Sequence, residues 1–107
     1  MADKDTRIEE LLAQAERDIQ ADRLTVPREN NAFERYRDVL RIDKDNQDAR
    51  AGLEKIIKRK MGIIERYVRQ GELGKAEEHV ISLLDLVPEN RKLSVLRSRI
   101  RAARAKR

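Results

Sequence analysis

The chain has 107 residues, 42% of them charged, with 25 Lys and Arg against 20 Asp and Glu for a net charge of +5. A length near one hundred residues allows a single ordinary domain and no second module. Cysteine is absent and His79 is the sole histidine, which removes disulfides, thiolate chemistry, cysteine metal sites and any multi-histidine centre within one chain.

Apolar spacing predicts helices almost throughout. Ile8, Leu11, Leu12, Ala15 and Ile19 recur at intervals of three and four, and Thr6 with Glu9 forms a capping box that satisfies free amides of a first turn. The first helix is therefore expected over about 6 to 22, after a disordered segment 1 to 5. The loop RLTVPREN follows, where Pro27 has no amide hydrogen and disfavours helical geometry at Val26. Asn31 and Glu34 repeat the start signal, and Ala32, Phe33, Tyr36, Val39 and Leu40 make the stripe of a short second helix.

DKDN at 43 to 46 supplies a turn and a cap at Asn46 for a third helix running to about Gln70. Its apolar residues, from Ala49 and Leu53 to Tyr67 and Val68, cover an arc of about 160° at about 100° per residue, wider than one neighbouring helix needs. Gly71 is expected to end it in a left-handed conformation, and a fourth helix over 72 to 87 stops at Pro88. A fifth begins near Arg91 with the narrow stripe Leu93, Leu96, Ile100 and Ala103. The fold class expected is all-α, with about five helices.

Antiparallel hairpins of this kind invite a check for internal repeats. In 71 to 90, Gly71, Leu73, Ala76, Val80, Leu83, Leu86 and Pro88 stand in the spacing of the second half of a tetratricopeptide repeat. Ala32, Tyr36, Val39, Ile42 and the DKDN turn repeat it. The chain thus resembles the tetratricopeptide-repeat family over about 6 to 105. The resemblance implies two helix hairpins, 6 to 45 and 46 to 90, with a basic capping helix at 91 to 105. Three departures point to an irregular version: the inserted TVPREN loop, a third helix about ten residues too long, and Lys60 where a bulky aromatic is usual. Segments of this type in bacterial multidomain proteins act as interaction or spacer modules, so the chain is expected to be a domain of a larger protein.

The family's concave face, lined by the first helix of each pair, usually takes extended peptides or partner helices. Carried across, it comprises Glu9, Leu12, Glu16, Ile19 and Gln20, then Lys58, Met61, Glu65, Val68 and Arg69. The bland reading is that Leu12, Ile19, Met61 and Val68 are core and the rest a solvated face. Lys60, near the middle of the wide stripe, is expected to carry its ammonium out to water along its stem.

Residues 91 to 107 hold eight of the Lys and Arg and no acid, leaving 17 bases against 20 acids before them. Arg97, Arg101 and Arg104 are expected on one outward strip, which could attract nucleic acid, an anionic surface or an acidic protein. The bland reading is a solvated last helix with cations favourable to its dipole. Phe33, Tyr36 and Tyr67 are too few aromatics for a base-stacking platform.

The stretch 43 to 54 has a calcium-loop spacing of acids, but position six of such a loop needs glycine and here is Asp48, so the repeat turn accounts for it. His79 is expected at the surface beside Glu77 and Glu78. No phosphate loop, nucleophile or forced acid pair is present, so neither an enzyme nor a cofactor is expected. The start MADKDTRIEE has no signal-peptide apolar run and no segment is long enough to span a bilayer, making the cytoplasm the default compartment. The expected partner is a protein or peptide, or an adjacent domain of the same protein. Nucleic acid is second, and self-association through the third helix is a further alternative.

Overall fold

The computed structural model describes residues 3 to 106. Five helices follow one another: α1 (Lys4–Gln20), α2 (Ala32–Ile42), α3 (Gln47–Arg69), α4 (Leu73–Leu86) and α5 (Arg91–Ala105). There is no strand among the described residues, and the fold is all-α.

Short polar side chains start four of these helices. Asp3, Asn31, Asn46 and Asn90 each accept a hydrogen bond from the amide three residues on, at 2.8, 2.9, 2.9 and 3.0 Å. Each bond satisfies one of the orphan donors of a first turn, and those of the three part-buried asparagines contribute about 1 kcal/mol each. The Thr6 capping box is corrected: Asp3 is the cap, and Thr6 is the residue whose amide it takes. Thr6 is already inside the first turn because Asp3 offers the earlier acceptor. Of the segment 1 to 5 expected to be disordered, residues 1 and 2 lie outside the described residues, while Lys4 and Asp5 are helical.

The C-termini are closed by backbone geometry. Gly71, at φ 77°, lets the amides of Gly71 and Glu72 reach back to the carbonyls of Val68 and Tyr67, a paired closure of α3 that needs a left-handed residue. Asp22, at φ 60°, does the same for α1, with the amides of Asp22 and Arg23 on the carbonyls of Ile19 and Asp18.

The chain divides into two compact units, Met1–Ile56 and Ile57–Arg107, with the boundary inside α3. The expected repeats placed their boundary before α3, at the DKDN turn. A helix of 23 residues rises about 1.5 Å per residue, enough length for its two halves to serve different neighbours.

In the first unit α1 packs on α2. Leu11, Ala15, Leu24, Ala32, Phe33, Tyr36, Val39, Ala49 and Ile56 are buried, with Ala15, Ala32, Val39 and Ala49 fully so. The connection from α1 to α2 is held down at several points. Leu24 is buried, and the amides of Ala32 and Phe33 donate to the carbonyls of Arg23 and Leu24. Asn31, also buried, donates from its side-chain amide to the carbonyls of Thr25 and Pro27 at 3.1 and 2.8 Å while its oxygen caps α2. Asp18 is the buried charge of this unit. Its carboxylate accepts from Arg23 at 2.8 and 2.9 Å and from Arg35 at 3.3 Å.

In the second unit α4 packs on α5. Ile64 of α3 joins Leu73, Ala76, Val80, Leu83 and Leu84 of α4 and Leu93 and Ile100 of α5 in one core. Burying each large aliphatic side chain stabilises by about 1.5–3 kcal/mol. Because Leu93 and Ile100 are 0% and 1% exposed, α5 builds this interior rather than only covering an open end. His79 is corrected from surface-exposed to half-buried: its ring stacks on Tyr67, centroids 5.2 Å apart.

Candidate functional site

Each unit carries an open cleft, and the expected concave-face residues divide between them. In the first unit a cleft of about 380 Å³ is lined by Leu12 and Glu16 of α1, Tyr36 of α2, and Asp48, Ala51, Gly52 and Lys55 of α3. Leu12 and Glu16 were expected on such a face. Glu9, Ile19 and Gln20 do not line this cleft; Glu9 and Gln20 are exposed and Ile19 is half-buried.

Tyr36 is positioned from two directions. Its place on the apolar stripe of α2 buries it, leaving 5% of the residue exposed. Across from it, Gly52 leaves room for the ring: a β-carbon there would lie 2.5 Å from Cε2 and 2.7 Å from Cε1. Burial first, and then the charges of Glu16 and Asp48, raise the Tyr36 hydroxyl above its ordinary pKa. At physiological pH the phenol is therefore protonated, a group that can both donate and accept a hydrogen bond. Glu16 and Asp48 are both exposed, and neither forms an ion pair among the described residues.

In the second unit a cleft of about 430 Å³ is lined by Met61 and Glu65 of α3 and by Arg91, Lys92, Val95, Leu96 and Arg99 of α5. Met61 both lines this cleft and packs against the core, and Val95 is 56% exposed. Val68 packs against the same core, while Lys58 and Arg69 are exposed outside the cleft.

Of the expected outward strip, Arg101 and Arg104 are exposed, and both are engaged. Arg101 donates to Glu77 at 3.1 Å, and Arg104 also bonds the Glu77 carboxylate. These two arginines reach back along α4 because α4 and α5 run antiparallel, bringing the end of one to the start of the other. The hydrogen bonds from Arg101 and then Arg104 lower the Glu77 pKa below the usual carboxylate value. Arg97 is half-buried, and so is Lys60.

Sequence reasoning missed Tyr36, Asp48, Ala51, Gly52 and Lys55 as cleft residues, and likewise the α5 side of the second cleft. One signal was available for the first. Glycine in a helix interior costs up to about 1 kcal/mol relative to alanine, so Gly52 called for a packing partner. Among the described residues no group of three or more His, Asp or Glu is placed to hold a metal ion, and no helix is long and apolar enough to cross a membrane. No family model, curated protein or solved structure matches the chain.

Proposed function

We propose that this chain is a non-catalytic protein-interaction or spacer module, tetratricopeptide-like in plan, that docks a protein or peptide segment on the clefts of its helical units. The observation that carries the reading is that Leu12 with Glu16, and Met61 with Glu65, each open on a cleft instead of being covered by another helix of their unit. Completely buried Ala32 and Ala76, one turn before buried Tyr36 and Val80, support the repeat-like plan, since small residues permit close helix packing. The partner class includes an adjacent domain of the same protein.

Nucleic-acid binding through α5 is the weaker reading because Glu77 takes up two of the three arginines on which it relied. The second cleft also sets exposed Val95 and half-buried Met61 and Leu96 among its cations, an apolar surface that suits a protein side chain better than a phosphate backbone.

Capture from source-organism lysate on the immobilised chain tests the reading, with Leu12→Glu and Met61→Glu as comparators. Retention of a defined protein that falls at least tenfold with one of these changes is expected. Retention of nothing, or retention indifferent to both changes, would count against the module. Retention of nucleic acid that weakens steeply between low and moderate salt would favour the alternative.

A further inference from the structure

The hydroxyl of Tyr36 belongs to a residue 95% buried, since 5% is exposed, and it makes no hydrogen bond to any described residue. No wholly buried side-chain polar atom among the described residues lacks a partner. The hydroxyl is therefore not sealed in the interior; it opens on the cleft that Tyr36 lines. There it joins Glu16 and Asp48, which approach from different helices and carry no ion pair among the described residues.

We propose that the cleft formed by Glu16, Tyr36 and Asp48 receives the guanidinium of an arginine side chain presented by a protein partner. The inference names the partner chemistry of the interaction-module reading and rests on it. Two carboxylates and a phenol oxygen offer acceptors on more than one wall. A guanidinium, with five N–H donors in a planar fork, can meet several of them at once. Leu12 and Ala51 supply apolar surface for the methylene stem. The volume, about 380 Å³, is at the small end of the roughly 300–1,000 Å³ of ligand sites.

Lys55 leaves the two carboxylates open to an incoming cation. It lines the same cleft, yet its ammonium pairs with neither Glu16 nor Asp48. An ammonium is compact and strongly hydrated, whereas a guanidinium sheds water more readily and binds carboxylates through paired bonds. The field of the unit favours a cation as well. Residues 1 to 56 hold 14 acids and 11 bases, a net charge of −3, against six acids and 14 bases in 57 to 107.

The test is a titration of the full chain with N-acetyl-arginine methylamide, followed by amide resonances in NMR. Saturable shifts centred on Glu16, Asp48 and Gly52 are expected, with a dissociation constant on the order of a millimolar. Glu16→Gln with Asp48→Asn, both at exposed positions, should weaken binding at least tenfold. Tyr36→Phe, which keeps the ring, should weaken it about threefold or more, and N-acetyl-lysine methylamide should bind several-fold more weakly. Absence of saturable shifts, shifts unchanged in the double variant, or a lysine analogue binding as tightly would overturn the inference. If arginine fails while lysate capture still depends on Leu12, only this inference falls. If arginine binds but no partner is captured, the interaction-module reading falls and takes the protein partner of this inference with it, leaving only the guanidinium chemistry of the cleft.

Discussion

The far end of the Tyr36 ring occupies the space into which a side chain at Gly52 would project. The two residues lie symmetrically about Lys44 in the α2–α3 turn, and that turn brings them against each other. Gly62, on the same helix, has no atom within 4 Å of the corresponding position. Alanine substitution should therefore have opposite signs at the two sites. Gly62→Ala should stabilise by about 0.5–1 kcal/mol through helix propensity. Gly52→Ala should destabilise by about 1–2 kcal/mol, because overpacking against a buried ring outweighs that gain. Urea midpoints decide it, and a stabilised Gly52→Ala would show that the ring yields freely.

Asp18 holds two arginines with a carboxylate that is 4% exposed, and those arginines keep 39% and 23% of their side chains in contact with solvent. Removing the charge while keeping the shape, as in Asp18→Asn, leaves one acceptor oxygen where the carboxylate offered two, so one of the two guanidinium groups faces an amide N–H instead of an acceptor. Because they can turn partly to water, the loss should fall at about 1–3 kcal/mol, below that for a fully buried pair. Thermal unfolding of the variant checks this, and a change under about 0.5 kcal/mol would place the cluster with ordinary surface pairs.

Asn31 joins the inter-helix loop to the start of α2 through three side-chain hydrogen bonds. Asn31→Ala should cost about 2–3 kcal/mol and speed amide exchange between Ala21 and Asn30. Asn31→Asp separates the two roles. It keeps the cap oxygen but cannot donate to the carbonyls of Thr25 and Pro27, so the loop should still exchange faster. Wild-type exchange in Asn31→Asp would mean that the cap alone orders the loop.

The Glu77 carboxylate has a folded-state pKa below its unfolded value, because Arg101 and then Arg104 hydrogen-bond to the charged form. A depressed carboxylate contributes stability that is fully present above the unfolded value and is lost as pH falls through the folded one. The stability gap between wild type and Glu77→Gln should thus be constant near neutrality and shrink below about pH 4, and added salt should narrow it at neutral pH. Urea midpoints across that range measure it. A gap that persists unchanged in acid would show that the arginines do not depend on the charge of Glu77.

The helices and their starts were legible because both are set by residues within one turn. Asn31, Asn46 and Asn90 sit three residues before the amides they cap, and Gly71 closes α3 through bonds to its own last turn. Asp3 escaped notice because Thr6 offered a plausible acceptor three residues later, and two acceptors competing for one helix start differ only in which is reached first.

Local pattern therefore determined which segments are helical, where four of the five stop and start, and which side of each carries the apolar stripe. Tertiary packing alone decided that α3 is shared between two units, that Arg101 and Arg104 meet a carboxylate 24 and 27 residues away, and that Tyr36 turns its hydroxyl into an acidic cleft. Periodicity fixes a side chain's direction around its own helix axis, whereas its partner depends on how helices distant in sequence stack, a choice made by the fit of whole surfaces.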